Sequence, residues 1–298
     1  MHGRRFVRIE VRAPKIFEGE PSDVIGEPIE SVGRFGKLLV FVLEGEHVLT
    51  IHLKMTGQLI WKAKAEAIEH DMDRLLEADN AELEFDEVLE DEDDVDMVVG
   101  GHPEKAYLQD LPHKHTHVIF HLDDGSTLYF NDLRKFGRVS VVAKKDMEDH
   151  AFIQKLGPEP LTPSFTRDYL ADRLASRPRA LLKAFLLDQE NLAGLGNIYA
   201  DESLFRAALR PDRTASSLGR GEINNLHEGI QETLELAILY GGSSSSDYVN
   251  AVGDKGTFLR IANVYHRTGE TCNRCNQGII ERIKIAGRST HFCPVCQH

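Results

Sequence analysis

The sequence predicts an α+β protein, with an N-terminal antiparallel β-sandwich, a helical region behind it and a small cysteine-rich ribbon at the C-terminus. Three observations carry this. Apolar and polar residues alternate with period two through the front half, and the period becomes helical beyond a break at Leu156-Gly157-Pro158-Glu159-Pro160. All four cysteines then fall in the last 27 residues, as Cys272-x-x-Cys275 and Cys293-x-x-Cys296.

In the front half, Leu49, Ile51 and Leu53 face one way with Thr50 and His52 the other, and Val118, Phe120 and Leu122 repeat the pattern. Asp123-Asp124-Gly125-Ser126 supplies a hairpin turn into Leu128 and Phe130, and Val139, Val141 and Ala143 follow. Two antiparallel sheets packed face to face fit this region, residues 1–145. The formal net charge is −13, yet residues 66–110 hold 18 Asp or Glu against Arg74 and Lys105, a local net of −16, so the remainder carries +3. The run Glu90-Asp91-Glu92-Asp93-Asp94 has no strand or helix period. Residues 62–111 therefore read as a solvated acidic insertion leaving after Trp61; an acidic arm that mimics DNA is the alternative reading.

The helical part is expected in three pieces. Arg179 to Glu190 puts Leu181, Leu182, Phe185 and Leu186 on one stripe, with Pro178 at its start. After a turn containing two glycines, a second helix should run from Asn197 to Leu209, stopping before Pro211, and a third from Gly221 to Tyr240 with Ile223, Leu226, Ile230 and Leu234 inward. The amides around Gly196 and Asn197 could hold a phosphate. Residues 241–258, rich in Ser and Gly, are either a linker or a loop that closes over a ligand. No apolar run approaches 18 residues and no signal peptide is evident, so a soluble cytoplasmic protein without membrane contact is expected; a monomer is the further expectation.

The cysteine pairs have the spacing of a zinc ribbon: four thiolates would give one Zn2+ a closed tetrahedral shell, a structural site with no open position. Two disulfides are the other use of such a quartet, with little support in a chain carrying no cysteine elsewhere. The ribbon region, 259–298, is basic, with Arg260, Arg267, Arg274, Arg282, Lys284 and Arg288 against Glu270 and Glu281. Ile279, Ile280, Ile283 and Ile285 suggest a hairpin with its tip at Ala286-Gly287-Arg288-Ser289. An Arg held out by a metal-stiffened hairpin suits a phosphate groove, although scattered surface Arg would look similar.

In this order, six stretches resemble the formamidopyrimidine-DNA glycosylase and endonuclease VIII family of base-excision repair enzymes: His52-Leu53-Lys54-Met55-Thr56-Gly57, Lys114-His115-Thr116-His117, Asn131-Asp132-Leu133-Arg134-Lys135-Phe136-Gly137, Leu156-Gly157-Pro158-Glu159-Pro160, Leu195-Gly196-Asn197-Ile198-Tyr199-Ala200, and the ribbon with Gly287-Arg288-Ser289-Thr290. The resemblance covers nearly everything except residues 62–111. It implies a β-sandwich, a helix-two-turn-helix DNA-binding domain over 146–240, a lesion-capping loop over 241–258 and a zinc ribbon over 259–298, with double-stranded DNA holding damaged bases or abasic sites as partner. The loop favours the formamidopyrimidine branch, and so oxidised purines such as 8-oxoguanine, over oxidised pyrimidines.

Carried over residue by residue, the resemblance makes Met55, Arg134 and Phe136 the trio that fills the gap when a damaged nucleotide is turned out of the stack. Lys37 corresponds to a lysine near the scissile phosphates credited with proton donation during strand cleavage. His115, Arg134, Arg179, Lys183 and Asn197 would bind DNA, Lys183 lying one turn from Arg179. Arg288 would grip the phosphates flanking the lesion and assist elimination. Members of the family begin, after removal of Met, with a Pro whose amine is the nucleophile, followed by Glu. This chain starts Met1-His2-Gly3-Arg4-Arg5-Phe6, and its nearest proline is Pro14, an internal amide. A chain start lying upstream of Met1 is the expectation; a lesion-binding protein without glycosylase activity is the alternative. A zinc-ribbon accessory protein of transcription or translation would explain the tail but not the Asn131–Gly137 or Leu195–Ala200 motifs.

Overall fold

A computed structural model of the protein describes residues 1–64, 97–101, 111–147, 153–243 and 256–298. The described residues fall into two compact units, one drawn from 1–33 and 39–144, the other from 34–38, 145–243 and 256–298.

The first unit is built on two five-stranded sheets. One has the order β1 (Phe6–Val11), β8 (Thr116–Leu122), β9 (Thr127–Asp132), β6 (Gly57–Lys62), β7 (Met97–Gly101); the other runs β2 (Phe17–Glu18), β10 (Arg138–Ala143), β5 (His47–His52), β4 (Leu38–Leu43), β3 (Ile29–Phe35). The Asp123–Ser126 turn forms as the sequence suggests, with Ser126 N and Oγ both donating to Asp124 Oδ1, and it sets the register Phe120↔Leu128 and Ile119↔Tyr129. Inward residues of both sheets make one core, including Phe6, Phe41, Leu49, Ile51, Phe120, Phe130 and Val139. Phe6 sits edge-on to Phe41 at 5.9 Å and tilted on Phe120 at 5.4 Å. Each such ring removed from water stabilises the fold by about 1.5–3 kcal/mol.

Two details depart from expectation. Thr50, read as facing away from the core, is buried, and the short β2 pairs with β10 in parallel. More consequentially, residues 62–111 are not purely a solvated loop. Met97-Val98-Val99-Gly100-Gly101 pairs antiparallel with β6, Trp61 opposite Val98, and extends the first sheet. This apolar run within acidic surroundings finds its backbone partners on the open edge of β6. Residues 65–96 and 102–110, with the acidic run, lie outside the described residues.

The second unit contains helices α1 (Arg167–Ser176), α2 (Leu182–Leu187), α3 (Asn197–Arg206) and α4 (Arg220–Leu239), then the hairpin β11 (Glu281–Ile285) and β12 (Arg288–Phe292). Its helical core gathers Leu170, Leu174, Leu182, Phe185, Leu186, Leu204, Leu226 and Ile230. The helix anticipated over 179–190 is much shorter. The backbone amides of Leu182 and Lys183 bond to Arg213 O and Pro211 O, and Leu181 is extended, so tertiary pairing occupies the place of the first turn. Pro178 instead follows the end of α1, a helix not anticipated, whose N-cap Thr166 accepts from Tyr169 N at 3.0 Å. Helix α3 stops at Arg206, three residues early, where Ala208 takes φ 58. Of the loop expected over 241–258, residues 244–255 lie outside the described residues. Its two ends are joined, Thr257 N to Tyr240 O and Phe258 N to Gly242 O, and Phe258 packs edge-on to Tyr199 of α3. Among the described residues no helix is long and apolar enough to cross a membrane.

His117, at 3 % exposure in β8, bonds through Nε2 to Asp132 O at 2.7 Å. Burial holds its pKa below the ordinary value, the Asp132 carbonyl opposing. The folded unit therefore takes up this proton less readily than the unfolded chain. Its contribution to stability is complete above about pH 6.5 and is lost as the pH falls towards the folded pKa. Thermal unfolding should show Tm falling from about pH 7 to about pH 5, and less steeply in His117→Gln; parallel curves would contradict this.

Candidate nucleic-acid interface

In the first unit the site grows from one buried carboxylate. Asp132, at 0 % exposure at the end of β9, accepts from Thr56 Oγ1, from Arg134 N at 3.1 Å and from Gly137 N at 2.7 Å. Its own amide donates to His115 O. A charged acceptor with several donors is a strong and directional tie. It fixes the 132–137 loop to the 53–57 turn, in which Gly57 N bonds back to Leu53 O.

These two loops hold three side chains outward. Met55 is 48 % exposed and Phe136 51 % exposed, although both are apolar. Arg134 Nη1 stands 3.7 Å from Met55 Sδ, and its guanidinium carbon lies 4.6 Å from the centroid of the Phe136 ring. A cation over an aromatic face and beside a polarisable sulfur is pre-ordered as a flat, charged wedge. Exposed Leu133 lies on the same loop. Half-buried His115 packs edge-on to His113.

In the second unit the ribbon is seated on α3 by two adjacent acids. Asp201, at 0 % exposure, accepts from Lys183 Nζ at 2.6 Å and from His291 N and Nδ1 at 3.0 and 3.1 Å. Glu202 accepts from the backbone amides of Asn263, Val264 and Tyr265 and from Asn263 Nδ2. Asn197, at the first turn of α3, donates to Ser289 O at 3.2 Å. At the ribbon's far end, His298 N bonds to Ala208 O, and Gln297 Nε2 to Leu209 O.

The four cysteines converge as the spacing requires. Their Sγ atoms all lie within 4.8 Å of one another, with Cys272–Cys296 at 3.5 Å and Cys275–Cys293 at 3.8 Å, and none is in a disulfide. Zinc–sulfur bonds of about 2.3 Å imply sulfur–sulfur edges of about 3.8 Å, so the quartet fits a tetrahedral Zn2+. Amide donors at Gly278 and Gln277 lower the Cys275 thiol to about 6, whereas burial raises Cys293 and Cys296, so a bound cation is what would hold all four as thiolates. The quartet is a structural zinc site. It stiffens a hairpin whose turn, Ala286 (φ 47) and Gly287 (φ 77), delivers exposed Arg288 opposite Ile285.

Lys37 also belongs to this unit. Its ammonium donates to Leu195 O at 3.1 Å, just before α3. The residue as a whole is exposed. The protein atoms crowded around its ammonium, and then the nearby Arg288 guanidinium, lower its pKa from the ordinary lysine value. Lys37, Asn197 and Arg288 are thus gathered around the start of α3. Arg179 is exposed but lies outside any helix.

Lys183 corrects the sequence reading. Its side chain is fully buried, bonded to Asp201 and to Asn197 O at 2.6 Å, so it cannot present its charge to DNA in this structure. The one-turn relation to Arg179 required a helix that does not start until Leu182. Asp201 and Glu202 were not anticipated, although they follow directly on Leu195–Ala200; acids on a helix ordinarily face water, and only the packing shows these two buried.

A helical unit carrying a zinc ribbon, with a β-sandwich that displays a Met–Arg–Phe wedge, defines a class of two-unit, zinc-bearing proteins built for a polyanionic partner. The comparisons agree on the family. The formamidopyrimidine-DNA glycosylase N-terminal domain matches residues 1–90 and 97–139, the H2TH domain of the same enzymes matches 156–249, and a zinc finger found in FPG and IleRS matches 269–298. Formamidopyrimidine-DNA glycosylase of Geobacillus kaustophilus is 37% identical over 287 residues, covering 96% of this chain and 88% of that protein. That of Listeria innocua is 38% identical over 300 residues, covering 99% and 93%. Among solved structures, Lactococcus lactis Fpg in complex with abasic-site DNA superposes with a TM-score of 0.77 at 29% identity, covering 100% of this chain and 94% of that one. MutM (Fpg) of Thermus thermophilus gives 0.76 at 35%, covering 99% and 92%. The chain belongs to the formamidopyrimidine-DNA glycosylase family.

The purified protein should hold one zinc per chain by metal analysis. Stripping it with a strong chelator should abolish hydrogen-exchange protection across 280–292, because the metal supplies about 10 kcal/mol or more to folds of this kind. Retained protection in the metal-free protein would contradict the site.

Proposed function

We propose that this protein is a base-excision DNA glycosylase with abasic-site lyase activity, acting on duplex DNA that carries oxidised purines. The observation that carries the reading is the Met55–Arg134–Phe136 wedge, whose two apolar members are exposed and whose loop is fixed by the buried Asp132. Exposed apolar side chains ordinarily cost solubility, and a rigid group of them marks a place where something is to be covered. A turned-out nucleotide leaves a gap one base thick and an orphaned partner base. Met55 and Phe136 fill such a gap by stacking, and the Arg134 guanidinium offers donors to the orphaned base. His115 and Arg179 contact phosphates. At the start of α3, Lys37, Asn197 and Arg288 receive a kinked backbone phosphate, where amide dipoles add to the two cations.

The choice of oxidised purines rests on the relatives' names and on a solved complex of a Lactococcus lactis variant with Fapy-dG containing DNA, 30% identical to this chain. Attack on the sugar carbon needs an amine nucleophile; the residues named above supply recognition, base replacement and the phosphate grip. A cytoplasmic location is part of the same reading.

Fluorescence anisotropy with a duplex holding a tetrahydrofuran abasic analogue tests it. The protein should prefer this duplex to an undamaged one. Arg134→Ala should lose about tenfold in affinity for the abasic duplex, roughly 1.4 kcal/mol, while binding to undamaged DNA changes little. Equal binding to both duplexes by the unsubstituted protein would overturn the reading.

A further inference from the structure

Residues 34–37 span the end of β3 and the turn into β4 and present Lys37, and a single carboxylate from a distant part of the sequence holds them. Glu159 takes the Arg34 guanidinium in a fork, Oε1 to Nη1 at 2.8 Å and Oε2 to Nη2 at 2.7 Å. Its Oε1 also accepts from Gly36 N at 2.8 Å, and Arg34 Nη1 donates in turn to Gly36 O. The three residues thus close a ring of charge-assisted bonds around the peptide just before Lys37. Gly36 turns at φ +57, the left-handed region that favours glycine, and lies against Leu156 and Ala193.

The other side of the ring is equally fixed. Glu159 lies between Pro158 and Pro160, whose locked φ angles stiffen its backbone. Pro158 O accepts from Ala193 N, and Gly157 N donates to Gln189 O. Gln189 then donates to Leu195 O, the carbonyl that receives Lys37 Nζ. The chain of contacts runs from Glu159 along both routes to the Lys37 ammonium.

We propose that Glu159 is a positioning residue for Lys37: by clamping Arg34 and the Gly36 amide it holds the 34–37 turn so that the ammonium stays beside Leu195 O and Arg288. This rests on the reading of Lys37 as a phosphate-contacting lysine. Stability alone gives little reason for the arrangement. Arg34 is 55% exposed and Glu159 27%, and ion pairs so open to solvent contribute little to folding. What the fork does supply is geometry, since two parallel bonds leave the guanidinium one orientation.

The test has two arms on the whole protein. Competitive acetylation of lysines across pH, read peptide by peptide by mass spectrometry, should find Lys37 titrating below its ordinary range. In Glu159→Ala, and independently in Arg34→Ala, Lys37 should move towards the ordinary lysine value while the other lysines stay in place. Binding to the tetrahydrofuran duplex supplies the second arm. Glu159→Ala and Lys37→Ala should each lower affinity about fivefold at roughly 0.15 M salt, the factor expected when about 0.9 of a counterion is no longer released. The double variant should be no weaker than either single one. An unchanged Lys37 profile in both clamp variants, or losses that add in the double variant, would overturn the proposal. Failure of the functional reading would look different: no preference for abasic over undamaged duplex, with the acetylation arm still reporting on the clamp.

Discussion

The arrangement of the second unit depends on two neighbouring carboxylates that have no water to fall back on. Asp201 and Glu202 leave the same turn of α3 buried, and between them they receive a lysine ammonium, a histidine ring and five backbone or side-chain amides. Breaking a buried ion pair by removing one partner costs about 3–5 kcal/mol, so both acids demand their full set of donors. Those donors come from α2, from 263–265 and from β12, and only one seating of the ribbon supplies them all. Zinc fixes the shape of the ribbon, and the acid pair fixes where it sits.

A chain with net charge −13 can present a cationic site because residues 66–110 alone carry −16, and because the acids nearest the site's cations turn inward. Three negative side chains are consumed internally by hydrogen bonds and ion pairs: Asp132 in the first unit, Asp201 and Glu202 in the second. Each holds a nearby cation or loop in place without facing solvent. Arg134 is steadied by the loop that Asp132 ties down, and Lys37, Asn197 and Arg288 meet around the start of the helix that carries the acid pair. Lys183 belongs to the supporting set, its charge spent on Asp201 and on the carbonyl of Asn197.

What the sequence revealed follows the range over which its signals act. Alternation along Leu49–Leu53 and Val118–Leu122, and the Asp123–Ser126 turn, are local, and both appear as strands and a hairpin. The cysteine spacing is likewise local and fixes the ribbon. Helix ends are a contest between local period and distant partners. At Leu182 and Lys183 the carbonyls of Arg213 and Pro211 won, which shortened a helix and turned Lys183 inward. Helix α1 had a legible cap in Thr166, but its two buried residues, Leu170 and Leu174, make a faint stripe. Strand β7 was hidden by the acids around it, and Asp201 and Glu202 by the ordinary preference of acids for water. The roles of Met55, Arg134 and Phe136 came from resemblance. The structure adds why they stand out from the surface.

The claim that the acid pair places Arg288 is tested most directly by measuring abasic-duplex affinity in Asp201→Asn at full zinc occupancy, beside Arg288→Ala and the double variant. The account predicts that Asp201→Asn, still holding one zinc per chain, loses at least as much affinity as Arg288→Ala, and that combining them costs little more. Wild-type affinity in a zinc-loaded Asp201→Asn protein would contradict it, because the ribbon would then be placed by the metal alone.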